Sequence, residues 1–122
     1  MAQTLKEKVK YKDNLYNMWS LGGLVFRRFE RMDKKFVAAV NGYAAGGGCE
    51  LAMACDLRVS SDQALFSLPE IKLGILPGSV GTQRLPLLVQ VGRALELMLL
   101  GEFISAPKAL QWGALNRVAP NV

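Results

Sequence analysis

The sequence predicts an α/β fold, and residues 36–60 carry most of that prediction. Phe36–Val40 is a short apolar run with the length of a buried strand. A turn rich in glycine follows, and after it comes Glu50–Cys55, whose residues are good helix formers apart from the last. Leu57–Ser60 has the pattern of a second strand. A strand, a helix and a strand in this order indicate a βαβ unit with a right-handed crossover and a parallel sheet.

The glycine turn between this strand and helix is a candidate binding site. Gly46, Gly47 and Gly48 carry no side chain that would block a ligand. Backbone N–H groups at the start of a helix have no intrahelical acceptor and can face a ligand oxygen. Glu50 adds a carboxylate in the first turn of the helix, and N–H donors beside a carboxylate suit carbonyl chemistry through an enolate. Close packing of the helix on the strand explains the glycines equally well.

Two phosphate-binding motifs that also use glycine are excluded. A Walker A loop needs Lys-Ser or Lys-Thr after its last glycine, whereas Cys49 and Glu50 follow Gly48. A dinucleotide-binding G-x-G-x-x-G pattern fails because Leu51 occupies the position of the third glycine. The carboxylate of Glu50 would also repel a phosphate group.

Composition indicates one globular domain over residues 1–122, since 51% of the residues are hydrophobic and 20% are charged. No apolar run reaches the roughly 18 residues of a membrane span, and no secretory signal is visible at the start. Cys49 and Cys55 fall on different faces of one helix, so we expect two free thiols and a reducing compartment. The absence of histidine excludes histidine triads and histidine metal ligands within this chain, and we expect no metal site.

The net charge of +5 lies within residues 1–35, because the remaining residues contain as many acidic as basic side chains. A basic segment can attract nucleic acid, a membrane surface or an acidic ligand. Residues 14–32, however, repeat apolar side chains at a spacing of three and four, with most charges on the other side. This pattern predicts an amphipathic helix packed on the core, so the charge is a solvated face and we expect neither membrane nor nucleic-acid binding.

The second half of the chain contains clear boundary signals. Gly101 ends one predicted helix, and Ser105 is a good N-cap for another that Gly113 ends. In chain order, the predicted elements are a strand at Ala64–Ser67, a helix opening at Gly78–Arg84, a helix at Arg93–Leu100, a helix from Ser105 to Trp112 and a strand at Asn116–Val118.

Glu70 is the second carboxylate of interest, because it follows Pro69 in an apolar stretch. We expect it at the end of a strand with its side chain over a cleft. Glu50 and Glu70 form a candidate acid/base pair, since desolvation and mutual repulsion raise the pKa of at least one such carboxyl towards neutrality. A lone glutamate is usually an ordinary surface residue; the N–H donors near one carboxylate and the apolar bend near the other favour the paired role.

Three stretches resemble the crotonase family, the enoyl-CoA hydratases and isomerases. They read AAVNGYAAGGGCELAMACDLRVSS, ALFSLPEIKLGILPGSVGTQRL and ISAPKALQWGALNRVAP. The resemblance implies an α/β fold with a crotonase-like ββα-spiral core that is truncated at both ends. Residues 1–13, a basic segment that is a candidate for disorder, do not match the Ala-rich oxyanion loop that the family places upstream. The family's C-terminal helices, used for trimer assembly, would follow Val122.

The resemblance also implies an activity, the addition of water across the 2,3 double bond of an enoyl-CoA thioester. Glu50 and Glu70 would hold the water between them. One glutamate would act as a base on the water, and the other would deliver the α-proton.

The glycines of the turn acquire a binding role from the same resemblance. Gly47 would supply one of two backbone N–H groups that bind the thioester oxygen, with Gly46 and Gly48 beside it. Gly78 matches the glycine near the water. Val80 stands where many family members have glycine, so that it either narrows the acyl pocket or fills a packing gap, and we expect the packing role.

The remaining implications concern partners and compartment. The family needs no separate cofactor, because coenzyme A is part of the acyl-CoA substrate of fatty acid metabolism. We expect a homo-oligomer, a trimer or a dimer of trimers, in the bacterial cytoplasm or the mitochondrial matrix. Two alternatives stay open. One is an isomerase, since isomerases of the family commonly keep only the glutamate matching Glu70. The other is a non-catalytic scaffold or binding module, either because the truncated chain lacks half of the oxyanion hole or because its basic N-terminal segment binds RNA.

Overall fold

The structure is a computed structural model that describes residues 21–120. In chain order, its strands are β1 (Val37–Val40), β2 (Tyr43–Ala45), β3 (Leu57–Ser61), β4 (Leu65–Ser67), β5 (Ile104–Ser105) and β6 (Arg117–Ala119). Its α-helices are α1 (residues 21–30), α2 (Gly47–Met53), α3 (Gly81–Val89), α4 (Val91–Leu100) and α5 (Ala106–Trp112), with a 3-10 helix at Pro69–Leu73.

The strands form two three-stranded sheets. Residues 41–42 and 62–64 each connect a strand of the first sheet to a strand of the second. The first sheet has the order β1-β3-β6 and is parallel throughout, so the predicted βαβ unit with parallel strands is confirmed. The second sheet has the order β2-β4-β5, with β2 parallel and β5 antiparallel to β4. Tyr43–Ala45 was predicted as part of a single turn, and that was wrong. These three residues pair with Leu65–Ser67, because the turn after β1 needs only residues 41–42.

The hydrophobic core lies where the second sheet packs against the helices. Leu68, Leu85 and Val89 are fully buried there, and Phe66 of β4 packs in the same cluster. Each buried leucine or valine of this kind contributes roughly 1.5–3 kcal/mol relative to an exposed position. The core therefore fixes β4 and α3, which flank the segments carrying the candidate site residues. Within residues 21–120, no helix has the length and apolar character needed to cross a membrane.

Three of the helix boundaries predicted in the second half of the chain are confirmed, whereas α3 and α4 begin at Gly81 and Val91 and not at the predicted Gly78 and Arg93. Gly101 and Gly113 end α4 and α5 in the left-handed conformation, with φ of 61° and 89°. Glycine adopts this conformation without the steric cost that a Cβ imposes. The Ser105 Oγ accepts a hydrogen bond from the Lys108 N–H at 3.5 Å, as an N-cap side chain does.

The predicted packing of the N-terminal amphipathic helix is confirmed only in part. Phe29 of α1 is half-buried, and its ring centroid lies 4.9 Å from that of Phe36. Val25, which the pattern placed on the apolar face, is 49% exposed, and Leu24 is 64% exposed. The contacts of α1 include Gly22 beside Ser79, Gly23 beside Val80 and Glu30 on Arg84, and these contacts leave Leu24 and Val25 exposed. The part of this helix predicted at residues 14–20, and the expected disorder of residues 1–13, lie outside the described residues.

Candidate active site

A cavity of about 460 Å³ opens where the start of α2, the 3-10 helix and the loop before α3 meet. Its size is typical of a small-molecule site. Five of the six predicted site residues line it, together with apolar side chains of the loop. The predicted residues are Gly46, Gly47, Glu50, Glu70 and Gly78, and their neighbours include Ala45, Pro69, Leu73, Ile75, Leu76 and Ser79.

Gly48, the sixth predicted residue, lies apart from this group. It lines a different depression, which Val37 of β1 and Cys55 also border. Gly48 is therefore positioned on the side of α2 that packs towards the first sheet. Its predicted part in binding the thioester oxygen stays a prediction.

Gly46 sets the direction in which α2 leaves the second sheet. It is the N-cap residue, with φ 54° and ψ −125°, a conformation that residues with a Cβ rarely adopt. Its N–H donates to the Ser67 carbonyl at 3.0 Å, which fastens the turn to β4. A Cβ at this position would lie 3.1 Å from Glu70 Oε1. Gly46 is thus required both by the backbone and by the close approach of Glu70.

Glu50 is held by two backbone N–H groups from a loop far away in sequence. Its side chain is buried, and its Oε1 accepts from the Ser79 N–H at 2.9 Å and from the Gly81 N–H at 2.7 Å. Short N–H bonds to a carboxylate are among the stronger hydrogen bonds in proteins. The carboxylate is thereby fixed in one orientation, with Oε1 turned to the loop.

Glu70 differs from the prediction in its setting. It lies in the 3-10 helix and not at the end of a strand, because Pro69 starts a helical turn directly after Leu68. The residue is only 8% exposed, and Oε2 has no hydrogen-bond partner among the described residues. Burial raises the pKa of the Glu70 carboxyl, and the negative charge of Glu50 raises it further. The pairing of the two carboxylates in one apolar cavity is what the sequence predicted.

Cys49 is a buried residue of α2, directly before Glu50 in the sequence. Burial raises the pKa of its thiol to about 12, and the charges of Glu70 and Glu50 act in the same direction. The thiol is therefore neutral at physiological pH and behaves as a small apolar side chain. Cys49 and Cys55 are both free, as predicted.

The loop that holds Glu50 contains a valine in an unfavourable conformation. Val80 has φ 74° and ψ 16°, in the left-handed region. Its side chain is half-buried beside Gly23, which agrees with the packing role expected for it. A residue with a Cβ pays about 1–2 kcal/mol for this conformation, which glycine adopts freely.

The donors on Glu50 were missed by the sequence analysis. Ser79 and Gly81 carry no side-chain signal for this role, since they act through their backbone N–H groups. Among residues 21–120, no three His, Cys, Asp or Glu side chains form a group that could hold a metal ion.

Comparison of the chain with known proteins identifies its relatives. A family model described as enoyl-CoA hydratase/isomerase matches residues 2–122. The short-chain-enoyl-CoA hydratase of Clostridium acetobutylicum is 52% identical over 98 residues, which cover 80% of this chain and 38% of that protein. A protein of Dictyostelium discoideum named probable enoyl-CoA hydratase, mitochondrial, is 48% identical over 90 residues, covering 74% of this chain and 32% of that protein.

Solved structures agree with the sequence comparison. The crystal structure of enoyl-CoA hydratase from Bacillus anthracis superimposes with a TM-score of 0.87 at 40% identity, over 89% of this chain and 42% of that one. The chain thus spans about two fifths of the length of the first relatives it matches. The crotonase-like fold predicted from the motifs is confirmed. By its sequence motifs, its two sheets and its match over residues 2–122, the chain belongs to the enoyl-CoA hydratase/isomerase family.

Proposed function

We propose that this chain adds water across the 2,3 double bond of an enoyl-CoA thioester with its two glutamates. The observation that carries the proposal is the contrast between Glu50 and Glu70 within one cavity. Glu50 accepts two backbone N–H groups on Oε1, whereas Oε2 of Glu70 is buried without a partner among the described residues. One carboxylate is fixed and the other is poised to share a proton, as an acid/base pair requires.

The thioester carbonyl is the group that the glycine turn would bind. Gly47 is the first residue of α2 and lines the cavity, so its N–H has no acceptor within the helix. In our proposal this N–H donates to the thioester oxygen, which gains negative charge as the enolate forms. A fixed N–H donor in such a place is worth roughly 2.7–4 kcal/mol to the transition state.

The two glutamates then divide the proton transfers. Oε2 of Glu50 takes a proton from the water, whose oxygen forms the new bond to C3 of the substrate. Glu70 enters the step protonated, which its raised pKa favours, and gives its proton to C2. The electron pair of the double bond forms the new C–H bond by way of the enolate. Proton exchange with solvent restores both carboxyls for the next turnover.

The names of the relatives and the exposed apolar surface support our proposals for substrate, compartment and self-association. The relative from Clostridium acetobutylicum is named for an enoyl-CoA substrate, and the one from Dictyostelium discoideum is called mitochondrial. In our proposal the substrate is an acyl-CoA, and the compartment is the bacterial cytoplasm or the mitochondrial matrix. Coenzyme A would enter as part of the substrate, without a separate cofactor. Leu76 and Leu87 are 73% and 87% exposed in the single chain, and we propose that such surfaces are covered by self-association into a homo-oligomer.

Hydration of crotonyl-CoA by the 122-residue chain, followed as loss of the enoyl thioester absorbance, tests this function. We expect Glu50→Gln and Glu70→Gln each to lower turnover by about 10²–10⁴-fold, the usual contribution of a general acid or base. Glu96→Gln, at an exposed carboxylate on α4, is the matched control and should retain turnover. Near-normal rates in either cavity variant would disprove the two-glutamate mechanism.

The same assay separates the alternatives. An isomerase would move the double bond of a 3-enoyl-CoA without hydrating crotonyl-CoA, and would depend on Glu70 more than on Glu50. A folded chain that turns over neither substrate, but binds RNA in a salt-dependent manner, would support the non-catalytic alternative.

A further inference from the structure

Arg84 is a buried cation that connects α1 to the loop holding Glu50. The residue is only 7% exposed. Its Nε donates to Glu30 Oε1 of α1 at 2.6 Å, and its Nη1 donates to the Ser79 carbonyl at 2.7 Å. Ser79 is one of the two residues whose N–H binds Glu50. A single side chain therefore joins a helix on the surface to the hydrogen bonds of the site.

The Ser79 carbonyl depends on Arg84, because α3 does not use it. The N–H groups of Gln83 and Arg84 both donate to the Val80 carbonyl, at 3.1 Å each. The first turn of α3 thus closes on Val80 and leaves the preceding carbonyl to the guanidinium. Ser79 is itself buried, and a buried carbonyl that loses its hydrogen-bond partner destabilises the folded chain.

The loop needs such an external contact, because its own backbone conformation is unfavourable. Val80 lies between the two N–H donors and adopts the left-handed region. Strained residues of this kind persist only where the surroundings hold them. Packing of α1 adds to the hold, since a Cβ at Gly22 would come within 2.6 Å of Ser79 Oγ. The guanidinium and α1 together fix the segment from Ser79 to Gly81.

Glu30 completes the arrangement by neutralising and orienting the guanidinium. A buried cation without a partner is costly, and a carboxylate hydrogen-bonded to it offsets that cost. The hydrogen bond from Arg84 lowers the pKa of Glu30, so the carboxylate is ionised at neutral pH. Lysine at position 84 could not reproduce both bonds, because its single ammonium group lacks the fork of the guanidinium.

We propose that Arg84, tethered by Glu30, is a positioning residue for Glu50. It holds the Ser79–Gly81 segment so that both backbone N–H groups reach Oε1 of the glutamate. The inference rests on the proposed function where it concerns turnover, and on the hydrogen bonds alone where it concerns the loop.

Kinetics of four single variants and one double variant test the effect on turnover. We expect Arg84→Met to lower kcat for crotonyl-CoA roughly 10–100-fold with little change in KM, because misplaced Glu50 harms the chemical step more than binding. Arg84→Lys keeps one charged donor and should lose less. Glu30→Gln should also lose less, and combining it with Arg84→Met should add little to the loss. Arg28→Met, at an exposed arginine of α1, is the matched control and should keep its kcat.

Amide chemical shifts give a readout that does not depend on turnover. In nuclear magnetic resonance spectra of the full 122-residue chain, the amide protons of Ser79 and Gly81 should move upfield in Arg84→Met and stay in place in Arg28→Met. Unmoved resonances in a folded Arg84→Met chain would overturn the proposal, as would shifted resonances with unchanged kcat. If Arg84→Met does not fold, Glu30→Gln decides in its place, since unmoved Ser79 and Gly81 amides there would equally overturn it.

Failure of the proposed function would look different. A chain that never hydrates crotonyl-CoA, but whose Ser79 and Gly81 amides respond to Arg84→Met, refutes the activity and supports the positioning of Glu50. A chain with turnover that Arg84→Met leaves intact refutes the positioning role and leaves the activity standing.

Discussion

The backbone of Gly81 approaches the carboxylate of Glu50 so closely that position 81 has no room for a side chain. The Gly81 N–H donates to Glu50 Oε1 at 2.7 Å, and a Cβ added to Gly81 would lie 2.8 Å from the same oxygen. It would also lie 3.1 Å from the Pro77 Cβ. Space, and not backbone conformation, requires glycine at this position.

Gly81→Ala should therefore damage the site and the fold together. The added methyl group must displace either Glu50 or the loop, so we expect loss of most crotonyl-CoA hydration and a decrease of roughly 1–3 kcal/mol in the free energy of unfolding. Urea denaturation measures the second effect. Gly92→Ala in α4 is the control, because a Cβ there meets no described heavy atom within 4 Å, and we expect it to gain about 0.5–1 kcal/mol. Equal stability of both variants would contradict the predicted clash.

Gly47→Val should lower turnover without harming the fold. A Cβ at Gly47 meets no described heavy atom within 4 Å, so the first atom of the new side chain has room. The isopropyl group would occupy the cavity beside the N–H that we assign to the thioester oxygen. We expect an unchanged circular dichroism spectrum and reduced kcat/KM for crotonyl-CoA. Gly48→Val, which points to the depression near β1, should retain more turnover; the reverse order would indicate that Gly48 is the donor.

Val80→Gly should stabilise the chain. Glycine adopts the left-handed conformation without strain, which favours the folded variant by about 1–2 kcal/mol. The greater freedom of glycine in the unfolded chain offsets part of this gain. We therefore expect the free energy of unfolding to rise by about 1 kcal/mol. The midpoint of urea denaturation would show it. Gly74→Ala is the converse test, since Gly74 has φ 68° with no described atom within 4 Å of a Cβ, and it should destabilise the chain. A Val80→Gly chain that is less stable would show that side-chain packing outweighs strain.

The raised pKa of Glu70 predicts a pH-dependent stability. Burial raises this pKa above the ordinary value of 4.5, so the folded chain binds the proton more tightly than the unfolded chain. Ionisation of Glu70 therefore costs stability, and the cost grows as pH rises from about 4.5 through the raised pKa. Glu70→Gln cannot ionise, and we expect it to be the more stable chain at pH 7. The difference in unfolding free energy should shrink on acidification towards pH 4.5. A difference that is constant with pH would refute the raised pKa.

Self-association should depend on the apolar groove of about 400 Å³ between α4 and the 3-10 helix. Leu99 lines this groove and is 62% exposed in the single chain. We expect the molar mass from light scattering to rise with protein concentration, and Leu99→Glu to reduce that rise because burying the new charge is costly. Gln111→Glu, at an exposed polar residue of α5, is the control and should associate as the unchanged chain does. A monomer at every concentration would contradict the prediction.

The sequence predicted those elements whose signals are local. Gly101, Ser105 and Gly113 mark their boundaries by conformational preference or by a side-chain cap, and the structure has helix ends there. β2 was missed because a strand of three residues next to a glycine run has too few side chains to show an alternating pattern. It exists because β4 offers it a partner, which is a tertiary effect.

The two carboxylates of the candidate site could be predicted from the sequence, but the groups that hold them in place could not. Glu50 and Glu70 stood out because acidic residues in apolar surroundings are uncommon. The N–H groups of Ser79 and Gly81 act through the backbone, and every residue except proline has such a group. Arg84 and Glu30 are 54 positions apart, and nothing local links them. Such contacts follow only from the packing of α1 against the loop.

The outer edge of β1 has a consequence for how the chain behaves in solution. β1 ends the order β1-β3-β6, so within the described residues the backbone N–H and C=O groups on one side of Val37–Val40 pair with no strand. An uncharged, apolar edge of this kind can template β-aggregation between chains. Lys34 and Lys35 precede the strand, but Lys35 is ion-paired with Asp56 at 3.2 Å, so Lys34 is the residue whose positive charge can act as a gatekeeper against such pairing. Repulsion between chains weakens as salt screens this charge, so the solubility of the protein is tied to ionic strength through Lys34.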